Sequence, residues 1–203
     1  MRTVGVLTGA GVAFGVFVLA VTASDRYEES TTTLFSGTVG GLYLVAGLVA
    51  SLRRPDNPVG LVMVLVGIGW FAEDLQISAS PPVHTVGMLL RSASAGFVVQ
   101  LLLIFPDGRL RSAADRALVA AGYGATFILV PLSALFIASE VPNLLLVLAA
   151  GWPTPAVDLV QISLGAAVVS TLLRRWLTAS PPARRVIAPV YVAGLVGGGP
   201  RPR

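Results

Sequence analysis

The chain has 203 residues, 55% of them hydrophobic and 12% charged, with a mean hydropathy of +0.82. A soluble domain carries about 25% charge, so half that charge with several apolar runs of about 20 residues excludes an ordinary soluble fold and implies an integral membrane protein. The net charge is +4, but the basic residues, all arginine, stand in short clusters between apolar runs, which argues against a nucleic-acid-binding face; the lack of cysteine excludes disulfides, zinc thiolates and a thiol nucleophile.

The expected fold is all-α: a polytopic transmembrane helical bundle forming one domain over 1–203, with six full spans, a partial seventh and no soluble domain. The first span covers 4–23. "VTAS" (Val21 to Ser24) resembles a signal-peptidase site, but one arginine before a long apolar stretch favours a retained helix. The second span, 34–52, ends at "RRPDNP". Pro55 stops a helix there, and Asp56 or Asn57 caps the next with Pro58 in its first turn. The third span, 59–76, runs out through "WFAEDLQIS", with Trp70 at interfacial depth. A Pro-Pro turn carrying His84 follows, as an outer loop.

The fourth span, 85–105, ends in "PDGRLRSAADR". Pro106-Asp107-Gly108 reads as a tight turn, and Ser112 to Asp115 has capping-box spacing ahead of the fifth span, 117–138. The apolar part of "SEVPNLLLVLAAGWPTP" is too short to cross a bilayer and reads as an interfacial or re-entrant segment anchored by Trp152. The sixth span is 156–173. A last apolar run, 186–198, reaches only about 20 Å against a hydrocarbon core of about 30 Å.

Charge orients the spans. Arg2, then Arg53 and Arg54, then Arg109, Arg111 and Arg116, then Arg174, Arg175, Arg184 and Arg185 fall on alternate connections. The other connections hold Asp25, Glu28, Glu29, Glu73, Asp74 and Glu140 with the single Arg26. The positive-inside rule then makes the N-terminus and the arginine-rich loops cytoplasmic, in a cell membrane.

Catalytic constellations are sparse. One histidine excludes a two-histidine metal site, and no P-loop, nucleophile elbow or dinucleotide fingerprint occurs. No cofactor or metal is expected. His84 reads as an exposed loop residue without a role, the alternative being a pH-sensitive group. Arg91, about two turns into the fourth span, is the most telling charge, because an ionisable group at that depth is a functional candidate. Glu73 and Asp74 are candidate counter-charges, and Asp158 lies at similar depth. Either these four line an outer polar vestibule, or Arg91 snorkels outward and the acids sit among headgroups. Gly37 and Gly41 have GxxxG spacing, which allows intramolecular packing or a homodimer.

Three phrases occur in order at the expected cytoplasmic boundaries: "LRRPDNPVGLVMVLVGIGWF" (Leu52 to Phe71), "LLLIFPDGRLRSAADRALVAAGY" (Leu101 to Tyr123) and "ARRVIAPVYVAG" (Ala183 to Gly194). Together they resemble the multi-span N-terminal membrane region of sensor histidine kinases from high-GC Gram-positive bacteria. The resemblance implies two-component signalling as the parent function, with a response regulator as partner of the kinase core. That family continues into a helix bearing the phospho-accepting histidine and then an ATP-binding domain. Neither has a counterpart here, and His84 falls on the wrong side to serve. The resemblance therefore implies an input module without catalysis of its own, as a fragment, a truncated product or an orphan module. A small transporter or permease-like protein is the alternative; it calls for paired polar groups near mid-membrane and broken helices. An intramembrane enzyme ranks last. The bilayer is the one partner expected in either leading reading.

Overall fold

Prolines and small polar residues at the breaks decide where helices begin. The computed structural model describes residues 2–24, 30–149 and 153–178. Among these it is all-helical: α1 (Arg2–Ser24), α2 (Ser30–Arg53), α3 (Val59–Asp74) with a 3-10 turn (Leu75–Ile77), α4 (Pro81–Leu90), α5 (Ala93–Ile104), α6 (Ala113–Gly124), a π-turn (Ala125–Leu129), α7 (Val130–Ala134) and α8 (Pro153–Thr178). Among the described residues six stretches are long and apolar enough to cross a membrane: Thr3–Thr22, Leu34–Arg53, Val59–Ile77, Pro81–Ile104, Ala113–Ala134 and Thr154–Leu177. The run 186–198 lies outside the described residues.

Several starts follow the expected chemistry. Asn57 Oδ1 accepts the Val59 N–H (3.0 Å) at the head of α3. Ser112 and Asp115 form a reciprocal capping box, Asp115 N–H to Ser112 Oγ (3.0 Å) and Ser112 N–H to Asp115 Oδ2 (2.9 Å). That box opens α6 at Ala113, one turn earlier than the expected 117. The Pro81-Pro82 pair is a correction: it forms the first turn of α4 rather than a loop. Proline suits that position because the first-turn N–H has no intrahelical partner to lose.

Two spans are internally broken. The fourth divides into α4 and α5 at Arg91–Ser92, where Ser92 leaves helical geometry (φ −136°, ψ 24°). The fifth carries its π-turn immediately before Pro131. Proline lacks the N–H that would bond four residues back and its ring crowds that carbonyl, so a widened turn absorbs the mismatch. The chain then leaves the helix at Ala134, short of the expected 138, and continues irregularly. The apolar segment that follows is non-helical and is tied by Asn143 Nδ2 to the Ala134 carbonyl (2.6 Å) and by Leu144 N–H to Thr85 Oγ1 (2.9 Å). Trp152 lies outside the described residues.

The core centres on α3. Gly40, Leu44, Gly47 and Ser51 on α2 repeat at helical spacing, as do Gly60, Val64, Gly67 and Phe71 on α3. Their backbones nearly touch: a Cβ on Gly47 would stand 2.7 Å from the Gly60 carbonyl oxygen, and one on Gly67 2.9 Å from that of Gly40. Phe71 fills the notch left by Gly15 of α1 and Gly40, at 2.6 Å from a Cβ on either. Such approach maximises dispersion contact, the term left to drive helix packing wherever the surroundings are as apolar as the side chains. The GxxxG expectation is thus redistributed. Gly37 faces Leu19 of α1, Gly41 has open space, and Gly40 and Gly47 carry the close contact. A second cluster, Val59, Val62, Val66, Leu101 and Ile104, joins α3 to α5.

Candidate functional site

The up-and-down order collects the acidic ends of the helices at one end of the bundle and the arginines at the other. The break in the fourth span exposes backbone donors at the start of α5. Glu73, at the end of α3, answers them: its carboxylate accepts from the Ser94 N–H (2.7 Å) and Ser94 Oγ (2.6 Å). A carboxylate is favoured there by the positive end of the helix dipole. Gly69, one turn before Glu73, lets the two backbones meet, since a Cβ on it would stand 2.8 Å from the Ser94 nitrogen. Asp74 accepts from the Ser36 hydroxyl of α2, and Trp70 Nε1–H donates to the same Ser36 oxygen (2.9 Å). Glu73 and Asp74 are both buried. Each ties α3 to a different neighbour.

Arg91 turns the other way. It caps α4 at the break, about 15 Å from the start of that apolar stretch at 1.5 Å per residue. Its guanidinium donates to Ser133 Oγ of α7 (3.2 Å) and lies within electrostatic reach of Asp158 of α8. The expected pairing with Glu73 or Asp74 is therefore replaced: those carboxylates have serine partners, and Asp158 is the counter-charge. One level down, Gln161 Nε2 of α8 donates to Ser92 Oγ (3.1 Å). The break thus meets α8 through one hydrogen bond, at Ser92, with the charge of Asp158 acting on Arg91 beside it.

His84 is a further correction. It is buried on α4, not exposed in a loop. Nδ1 faces the Gln76 carbonyl (2.6 Å) and Nε2 faces Ser139 Oγ (2.9 Å), so the imidazole bridges the 3-10 turn after α3 and the chain after α7. Reading the Pro-Pro pair as a turn concealed this; reading it as the first helical turn would have placed His84 in the helix.

At the arginine end, Arg53, Arg54, Arg109, Arg111, Arg116 and Arg174 are exposed, and Arg111 pairs with Asp107 (2.5 Å) in solvent-accessible positions. Arg175 differs from its neighbours. It is mostly buried, with Nη2 2.6 Å from the fully buried Asp115 and Nη1 donating to the Leu103 carbonyl (2.8 Å). It pins α8 to both α5 and α6. Nothing in the sequence separates Arg175 from Arg174 except the helical face it occupies. Arg184 and Arg185 lie outside the described residues. Among the described residues no group of three or more His, Cys, Asp or Glu side chains is placed to hold a metal ion.

Comparison with known proteins returns no match: no family model, no curated protein and no solved structure resembles this chain detectably.

Proposed function

We propose that this chain is a membrane-embedded input module of the sensor histidine kinase type, with its arginine-rich end in the cytoplasm of the cell. Stimulus reception would occur at a polar seam along the break in the fourth span, with Glu73 and Asp74 on its α3 side and Arg91 and Asp158 on its α8 side, and output would be a shift of α8. The observation that carries the reading is how α8 is attached. Apart from Val157, Val168 and Leu172, its large apolar side chains are mostly exposed, and polar contacts hold it at two levels: Gln161–Ser92, with Asp158 in electrostatic reach of Arg91, and Arg175–Asp115. A helix held by a few discrete contacts can take up a second register, which is how helix-shift switches work. A second support is that two of the three resembling phrases form one unit: Asn57 Nδ2 of "RRPDNP" donates to the Pro106 carbonyl of "FPDGR" (3.0 Å).

The test is the reading frame beyond Arg203 and the adjacent genes. A phospho-accepting helix, ATP-lid motifs and a neighbouring response regulator are expected, and ATP-dependent autophosphorylation of the complete product follows from them. A frame with no kinase motif and no neighbouring regulator would sink the proposal. For orientation, a reporter fused after Arg116 is expected to read cytoplasmic; an external signal would reverse the map.

One observation favours a transporter instead. The broken fourth span, with Arg91 and Ser92 at the break, is the kind of discontinuity that lines substrate paths. Substrate-dependent flux in proteoliposomes, abolished by Arg91→Gln, would select that reading.

A further inference from the structure

The two loops that share the Asn57–Pro106 hydrogen bond border an open, shallow cleft of about 440 Å³ at the arginine end. Arg53, the last residue of α2, lines it with Arg54 and Asp56 of the loop that follows, and Asp107 and Arg109 line it from the α5–α6 loop. Its wall is fixed by backbone chemistry. Asn57 uses both ends of its amide, donating to Pro106 and accepting from Val59. Gly108 has φ +75°, and a Cβ there would collide with Asn57 Oδ1 and lie 2.7 Å from Pro58 Cδ, so glycine is required for the loops to close.

The charges around this wall do not cancel. Asp107 is engaged by Arg111. That leaves three guanidiniums, with no ion pair to any of them among the described residues, against the single carboxylate of Asp56. Membrane topology explains why arginines lie at this end. It does not explain why three from two separate segments converge on one cleft with a locked wall. The level of the cleft is informative as well: α2 stops at Arg53, α3 starts at Val59 and α5 stops at Ile104, so it opens where the apolar runs end. In a bilayer that is the depth of lipid phosphates.

We propose that this cleft binds a phosphate group, presented by the headgroup of an anionic phospholipid and held by Arg53, Arg54 and Arg109. Guanidinium forks match phosphate oxygens in bidentate geometry, and anionic headgroups attract basic side chains at the surface. The site is separate from the polar seam and independent of the signalling proposal. Its occupation would brace the α2–α3 and α5–α6 loops against each other.

The test uses the purified full chain in detergent, titrated with short-chain phosphatidylglycerol, short-chain phosphatidylcholine or inorganic phosphate, with thermal unfolding as readout and native mass spectrometry counting retained lipid. Saturable stabilisation by phosphatidylglycerol is expected, with one lipid held per chain and little response to phosphatidylcholine. The double variant Arg54→Gln/Arg109→Gln is expected to weaken binding roughly 25-fold, from about fivefold per arginine. Arg116→Gln, an exposed arginine at the same end but away from the cleft, is expected to leave it unchanged. Inorganic phosphate acting as strongly as the lipid would keep the phosphate site but assign it to a soluble ligand. Equal responses to both lipids, or a loss in Arg116→Gln matching that of Arg54→Gln or Arg109→Gln alone, would overturn the proposal.

Discussion

The third and sixth spans are alike in sequence and opposite in setting. Both are long and strongly apolar, with mean hydropathies of 1.5 and 1.8, yet 61% of the first is buried against 17% of the second. α3 is gripped by backbone contact through glycines facing glycines. α8 shows most of its apolar surface and is held by the polar contacts of Gln161 and Arg175. Hydropathy therefore marks both helices as candidates to cross a membrane and says little about how tightly either is held. The distinction lies in where the small residues and the charges fall on its faces.

The largest way to break the comparison is to cut a pin on α8. Arg175→Ala is expected to destabilise the protein by about 3–5 kcal/mol, because it strands the buried Asp115 carboxylate without its cation. Chemical or thermal unfolding in detergent would measure it, and a loss under 1 kcal/mol would show the pair to be dispensable. Next comes the scaffold. Gly67→Ala places a methyl against the Gly40 carbonyl, and overpacking of this kind costs about 1–3 kcal/mol. Gln161→Ala removes one polar contact between α8 and the break and is expected to cost about 0.6 kcal/mol, the usual value for such bonds between membrane helices.

The smallest and sharpest case has the opposite sign. Gly165 of α8 has nothing within 4 Å of its Cβ position. Gly165→Ala is therefore expected to leave stability unchanged or raise it by up to about 1 kcal/mol through better helix propensity. The same substitution should thus lower the unfolding midpoint at Gly67 and hold or raise it at Gly165. A common direction would erase the difference between the two spans.

How legible these features were depends on the range of the interaction behind them. The helical class and the six apolar stretches follow from composition and spacing, as does the Ser112–Asp115 capping box, because each is a local property of a few residues. The break at Arg91–Ser92 was missed because its cause is distant: Glu73 on α3 satisfies the donors that the break exposes. Arg91 was singled out from depth alone, which is again local, but its partners belong to α7 and α8 and follow only from packing. Gly37 and Gly41 had the right spacing on the wrong face, since register between helices decides which glycine of "GTVGG" meets its neighbour. Arg174 and Arg175 cannot be told apart by a charge rule, and only one of them points inward.

The central claim is that α8 moves against a scaffold built on α1 to α5. The chain has no native cysteine, so pairs of spin labels can be placed without background. Labels replacing the exposed Leu52 of α2 and Leu173 of α8 report the moving pair, and labels replacing the exposed Val6 of α1 and Leu52 report the scaffold. In lipid nanodiscs the Leu52–Leu173 distance distribution is predicted to be broad or two-peaked and to shift when Arg175 is replaced by Gln, while Val6–Leu52 stays narrow and fixed. A Leu52–Leu173 distribution as narrow as the scaffold pair, and unmoved by Arg175→Gln, would contradict the account.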